Sequence, residues 1–473
     1  MISINLFISL IGLISNGILI GLCSFSSAQA NYTMFATVSL IEVIIFIMCN
    51  KKQSDTLVNF SFFFVLCLYL FSFGQVVLMG FFPIACENLT IVLRYFDIID
   101  LFSGLKWLNT TFILVEMGIL IANEIERNNY SPKLSCNMTE DILANKAITI
   151  IVLTFPVKII VDLIVLSAGL RVGFEQARNV LNSIPSFIVA YGNLATIGFS
   201  LLILSLKNKR RKQFWLFCFI LIYTLGMMLC GRRSESVACL CIYVLCYVSG
   251  KEIKIKTVFI SGILGYLILT FLNAVVTIRN TSMGITDAFW YTLTKKNILY
   301  EALREYGNTA YTALTVIIKW LPLNAPSFGK SYFLGLSAIF PNFGGIMGDL
   351  TRVSNYGFTL QKSTVLSKYY HNIGGSVLGE LFFNFGFLGA CVFALILGIV
   401  VGKISMRANL LINQTMNYKV CYYIAVMAGI LYWIRDYFSG ICRDIVWGLL
   451  ICFIVKKLSI GTNISIQEEQ NDV

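Results

Sequence analysis

The stretch SVLGELFFNFGFLGACVFALILGIV, from Ser376 to Val400, decides the fold. Beyond its opening serine it holds one carboxylate, Glu380, one amide, Asn384, and no basic residue. An apolar run of about 20 residues matches the thickness of a bilayer when wound as an α-helix. A barrel strand would alternate apolar and polar residues, and this run does not. Runs of the same kind recur along the whole chain. The composition agrees, with 57% hydrophobic and only 13% charged residues and a mean hydropathy of +0.79. Together these predict an all-α, polytopic membrane protein of about twelve transmembrane helices. They lie near 2–23, 33–49, 57–80, 104–123, 147–170, 184–206, 214–230, 235–250, 257–275, 376–400, 419–434 and 440–455.

Loop charges orient these spans. The sequences KNKRRK (207–212) and KEIKIK (251–256), Lys51-Lys52, Lys403 with Arg407, and Lys456-Lys457 all fall on one side of the count. The positive-inside tendency makes that side the cytoplasm, with both termini there. Ala28-Gln29-Ala30 resembles a signal-peptide cleavage site. No lysine or arginine precedes the first apolar run, so that run reads as a retained span. The predicted organisation is an N-terminal membrane bundle (1–206), further spans with an external turn (207–275), one large external loop with amphipathic or re-entrant helices (276–375), C-terminal spans (376–457) and a cytoplasmic tail (458–473).

Other classes recede on chemistry. The net charge of +12 sits mostly in short loops, where topology requires it, so no nucleic-acid partner is expected. Most of the fourteen cysteines fall inside apolar runs and read as small buried hydrophobes. One histidine cannot build a zinc site, and no Cys/His cluster has ligand spacing. There is no DxD, Walker, GxSxG or HExxH pattern, so neither metal nor cofactor is expected.

Several constellations carry candidate chemistry. GRRSES (231–236) places Arg232 and Arg233 in an external turn, against the usual charge bias. YWIRDYFSGICRD (432–444) places Arg435 and Arg443 in another, each followed by an aspartate. Arginine forks match phosphate oxygens, although such residues also anchor turns at lipid headgroups. On a helix, Ser376, Glu380 and Asn384 share one face. They either line an external cavity or bond a neighbouring helix. His371 precedes them at its mouth, beside a Gly374-Gly375 pair that permits close backbone approach. Glu305, in REYG (304–307), is a further candidate base or sugar ligand, or part of a solvated helix face. Lys158 and Asp162, four residues apart, have the spacing for mutual neutralisation.

CGRRSES, the external EYG segment and above all IGGSVLGELFFNFGFLGA resemble the O-antigen polysaccharide polymerase family (Wzy type) over about Gly231–Gly448. The resemblance implies a C-type glycosyltransferase-like membrane fold and a metal-independent polymerase of surface polysaccharide: O-antigen, capsule or exopolysaccharide. It implies a donor oligosaccharide on undecaprenyl pyrophosphate, in the bacterial cytoplasmic (inner) membrane, with membrane lipids and a chain-length regulator as partners. Arg232, Arg233, Arg435, Arg443 and Asn384 would bind substrate. His371, Glu305 or Glu380 would accept the attacking hydroxyl's proton. An O-antigen ligase and a lipid-linked oligosaccharide flippase are the alternatives.

Overall fold

A computed structural model describes residues 4–22, 28–82, 95–129, 139–172, 179–181, 183–229, 233–249, 298–342, 345–362, 374–414 and 417–471, with a few isolated positions between 251 and 294. Among the described residues the chain is helical and contains no strand. The first nine helices are α1 (Ile4–Leu22), α2 (Ala28–Ser54), α3 (Phe60–Phe81), α4 (Ile98–Asn129), α5 (Glu140–Val172), α6 (Ser186–Asn193), α7 (Ala195–Ser205), α8 (Arg210–Leu229) and α9 (Arg233–Val248). The segment between the two groups of spans adds α10 (Ile298–Gly307), α11 (Thr309–Thr315), α12 (Lys330–Gly335), α13 (Ile346–Ser354) and α14 (Tyr356–Lys362). The chain ends with α15 (Val377–Gln414), α16 (Val420–Trp433) and α17 (Phe438–Asn471).

Seven of the described helical segments are long and apolar enough to cross a membrane, and three shorter apolar helices join them. Each falls on an expected span. The expected span 214–230 falls on α8, and that at 257–275 lies almost wholly outside the described residues.

The centre of the bundle is the pair α4 and α15, which run parallel. Trp107 meets Phe387 near one end, and Arg407 meets Glu126 near the other. Between them the backbones come within touching distance. A Cβ on Gly118 would strike the Leu395 carbonyl, and one on Gly402 would lie 2.6 Å from the Ile119 carbonyl. Gly398 and Gly402 form a GxxxG step, which lets helices in lipid gain packing without a hydrophobic driving force. Gly402→Leu should therefore force α4 and α15 apart, at a cost of about 1–3 kcal/mol or more. Gly226, whose added Cβ would meet nothing within 4 Å, is the control. The yield of monodisperse detergent-solubilised protein should fall for Gly402→Leu and hold for Gly226→Ala.

The described basic loops gather at one end, and KEIKIK beyond Lys251 lies outside the described residues. Arg127 donates to the Lys52 carbonyl, Arg407 and Lys403 share Glu126, and Lys209 meets Glu140 and Asp141. Lys207 donates to the Ile412 carbonyl at the C-terminal end of α15.

α15 is not one continuous span. Gly386 sits at φ 66°, ψ −165°, outside helical geometry, and a Cβ there would lie 2.9 Å from Pro326. Only glycine adopts that backbone without cost. The portion after the break is about 40 Å long at 1.5 Å per residue, enough to cross the bilayer alone. The portion before it, Val377 to Phe385, is thereby released to pack among other elements. Reading the apolar run as a single helix from Ser376 missed this, because a glycine inside an apolar stretch is also compatible with straight helix.

Candidate functional site

Two helices too short to cross a full bilayer create the site. α16 has 14 residues and α9 has 16. At 1.5 Å per residue they climb roughly 21–24 Å, against a hydrocarbon core of about 30 Å. α16 starts at the basic end of the bundle, where Lys146 lies over the Tyr418 ring at 4.6 Å. Its far turn, Ile434 to Tyr437, is therefore recessed below the opposite surface rather than lying on it.

Three segments converge on that turn. The first is the stretch leading into α15. Gly374 has φ +104°, and a Cβ on it would lie 2.9 Å from the Arg435 carbonyl. A Cβ on Gly375 would lie 2.5 Å from the Asp436 carbonyl. The glycine pair thus serves close approach, as the sequence indicates, but the partner is the Arg435-Asp436 backbone. Tyr356 of α14 fixes the same entry, accepting from the Ser376 N–H at 2.7 Å.

The second is the face of Glu380 and Asn384, both fully enclosed. Oε2 of Glu380 accepts from Trp433 Nε1 at 2.8 Å and from the Phe438 N–H at 3.1 Å. Phe438 is the first residue of α17, so this carboxylate caps a helix N-terminus, where negative charge is favoured. Nδ2 of Asn384 donates to Ser331 Oγ at 2.7 Å and to the Glu380 carbonyl at 2.9 Å. The two residues share a face as expected. Their neighbours are protein groups, and they tie α12 and the short arm of α15 to the turn.

The third is the charged cluster. The guanidinium of Arg435 lies 5.7 Å from the centre of the Phe71 ring on α3, a cation–π distance. Phe71 in turn meets Tyr306 of α10 edge-on at 5.6 Å. Desolvation in this packed turn pushes the Asp436 carboxyl above its ordinary range, against the hydrogen bonds from Tyr432 and the Tyr437 N–H and the charges of Arg443 and Arg435. Arg443 Nε lies 3.6 Å from Asp444.

Beside the turn is a cavity of about 50 Å³ between α7, α9, α16 and α17. Asn193, Thr196, Glu235, Cys239, Tyr432 and Asp444 are among its lining residues. Glu235 comes from GRRSES and Asp444 from the second arginine motif, so the fold brings the two sequence motifs to one pocket. Lys158 enters here. Its Nζ donates to Asn193 at 3.0 Å and to Glu235 at 3.1 Å. Asp162, its expected partner, accepts from Tyr223. The spacing on one helix was right for a pair, but a cross-helix carboxylate at the pocket holds the lysine. Breaking a buried pair strands a charge at a cost of about 3–5 kcal/mol. Lys158→Ala should therefore sharply reduce inserted protein on a membrane immunoblot, and Lys158→Met with Glu235→Leu should restore it.

The remaining candidates divide by position. His371 and Arg232 lie outside the described residues, as do the side chains of Arg233 and Glu305. The backbone of Arg233 opens α9, and Glu305 lies in α10. α10 itself reaches the bundle: Gln75 of α3 donates to the Arg304 carbonyl at 3.2 Å and to Asn308. Lys158 was expected only as half of a pair with Asp162, and the sequence does not point to Tyr356 or Ser331. Of these only Lys158 had a signal, a cation inside an apolar run.

The helices define a multi-pass membrane protein, with a small, mostly apolar cavity beside the recessed turn that holds Glu235 and Asp444 in its wall. The chain belongs to the O-antigen polysaccharide polymerase Wzy family, whose model matches residues 1–463. The match extends beyond Gly231–Gly448 to cover the first spans as well. Its role is thus in polysaccharide biosynthesis, as a polymerase. No curated protein and no solved structure matches it.

Proposed function

We propose that this polymerase joins oligosaccharide repeat units carried on undecaprenyl pyrophosphate, at the outer face of the bacterial cytoplasmic membrane. About twelve spans would hold it there with both termini in the cytoplasm. The growing chain's anomeric carbon leaves its lipid pyrophosphate and bonds to a hydroxyl of the incoming unit. The hydroxyl proton passes to a base, and lipid pyrophosphate departs as a stable anion. The reaction so written needs cationic stabilisation of the leaving group and one proton acceptor. Arg435 and Arg443, with Arg232 and Arg233 of the facing motif, supply the first. His371 or Glu305 supplies the second. Glu380 and Asn384 act as positioning residues that hold the Arg435 turn in place.

The observation that carries this reading is the meeting of both arginine-bearing motifs at one recessed pocket in a chain of the polymerase family. Incubating the purified protein with lipid-pyrophosphate-linked repeat units tests it. A ladder of polymer with release of lipid pyrophosphate is expected, without added metal. Failure to extend, with the substrate intact, would sink it.

The reading also fixes a pH dependence. Tyr432, Tyr437, Arg435, Arg443 and Glu380 surround Asp436. Its folded carboxyl is held above the ordinary range, so acidification removes a negative charge from beside both arginines. Donor affinity should rise as pH falls, and Asp436→Asn should bind more tightly with a weaker pH response, Asp444 beside Arg443 keeping the remainder. Equal pH profiles for the two proteins in a donor-binding assay would refute this.

A further inference from the structure

The N-terminal helices contain a second polar cluster, remote in sequence from the arginine motifs. Glu42 lies near the middle of the span Gln29–Ser54, and Glu116 near the middle of Ile98–Asn129. Both are 0% exposed. They are close enough for the charge of one to act on the other. Asn109, two turns before Glu116 on the same face of α4 and 1% exposed, donates its Nδ2 to Glu42 Oε1 at 3.2 Å. Tyr69 of α3 completes the cluster and shares a hydrogen bond with Ser39 of α2 at 3.2 Å.

What this cluster lacks is positive charge. Both oxygens of Glu116, Oε2 of Glu42 and Oδ1 of Asn109 are buried with no hydrogen-bond partner. No ion pair involving Glu42 or Glu116 occurs among the described residues. The elements packed around them offer none. α1 carries no charged residue. The part of α15 packed on this stretch of α4, Leu395, Gly398, Ile399 and Gly402 against Val115, Gly118 and Ile119, carries no charge. From α3 the only titratable neighbour is Tyr69. Lys106, about one turn from Asn109, is engaged with the Gly21 carbonyl at 2.9 Å. Lys319 lies further along α4, on Asp100 at 3.1 Å. Arg435 is on the other side of α3, because Phe71 and Tyr69 are two residues apart and so point nearly oppositely.

An uncompensated carboxylate at the centre of a bilayer costs several kcal/mol, and two side by side cost more. Orphaned oxygens from α2 and α4, with an amide oxygen beside them, form a buried cluster rich in acceptors. We infer that Glu42, Glu116 and Asn109 form a binding site for a positive charge, either a proton shared by the two carboxyls or a dehydrated monovalent cation such as Na⁺ or K⁺. Occupancy ties α2 to α4, and α4 is the helix against which α15 packs. The site stands on its own groups and is independent of the polymerase chemistry proposed above.

The test uses the full-length protein in lipid nanodiscs. Thermal unfolding is followed across pH in choline chloride, NaCl and KCl at equal ionic strength. Infrared difference spectra between wild type and Glu116→Gln report any protonated carboxyl. A shared proton gives a wild-type carboxylic-acid band that is lost in both Glu116→Gln and Glu42→Gln, with a melting temperature that rises on acidification and ignores the choice of cation. A bound cation gives a melting temperature higher in NaCl or KCl than in choline, a response abolished in either variant. Glutamine keeps the shape and removes the charge, so the variants should fold. Asn109→Ala provides a second, milder lesion that weakens the same response. Wild-type melting indifferent to pH and cation, with no carboxylic-acid band removed by Glu116→Gln, would overturn the inference. So would a response that survives unchanged in both glutamine variants. Neither outcome touches the polymer assay, so failure here and failure of the polymerase reading are distinguishable.

Discussion

Arg435→Ala should abolish polymer while the protein still inserts at its normal level. Arg435 sits in the recessed turn, backed by Phe71 and next to Asp436, Arg443 and the Gly374-Gly375 approach. On the proposed chemistry, pyrophosphate charge departing here needs a preorganised donor, and removing one such donor typically costs about 10²–10³ in rate. Lysine keeps the charge but loses the planar fork and much of the stacking on Phe71, so Arg435→Lys should recover only a minor part of the activity. Polymer is read on a gel and protein level by immunoblot. Full-length polymer from Arg435→Ala at normal protein level would remove this residue from the site. Arg233→Ala is expected to behave likewise, and Arg232→Ala more mildly, since adjacent side chains rarely face one ligand.

The second large effect falls on Glu380. Glu380→Ala takes the acceptor from Trp433 Nε1 and from the Phe438 N–H together. Each buried donor left unsatisfied costs about 1–3 kcal/mol. The cap of α17 goes with it, and the turn carrying Arg435 loses its anchor. Polymer should vanish, and solubilised protein should melt at a clearly lower temperature. Glu380→Gln keeps an oxygen toward both donors and should retain most stability and activity. That split separates positioning from proton transfer. A proton acceptor at Glu380 would lose its activity in the glutamine variant while melting normally.

Much of this was legible in the sequence, and the limits have physical reasons. Bilayer thickness imposes long apolar runs, so the described helices fall where hydropathy puts them. The described basic loops gather at one end because charge cannot be buried in lipid. The shared face of Glu380 and Asn384 follows from helical periodicity alone. Its orientation does not: whether that face meets a cavity or a neighbouring helix depends on Trp433 and Phe438, more than fifty positions away in the chain. The same holds for Lys158. Its sequence neighbour Asp162 was the visible partner, while Glu235 became available only once α9 was packed against α5 and α7. The break at Gly386 was hidden for another reason. Glycines are common at helix contacts in membranes, and Gly398 and Gly402 are used that way. Nothing local distinguishes a packing glycine from one at positive φ. The carboxylates of the N-terminal bundle went unremarked because each stands alone in its own apolar run, and only the fold sets Glu42 beside Glu116.

The most direct measurement is made in the cell. The coding gene is deleted, and surface polysaccharide is resolved on a gel, with wild type and Arg435→Ala supplied in trans. Deletion should leave single repeat units with no ladder. Wild type should restore the ladder, and Arg435→Ala should not. An unchanged ladder after deletion, with no second polymerase supplying it, would contradict the assignment at its root.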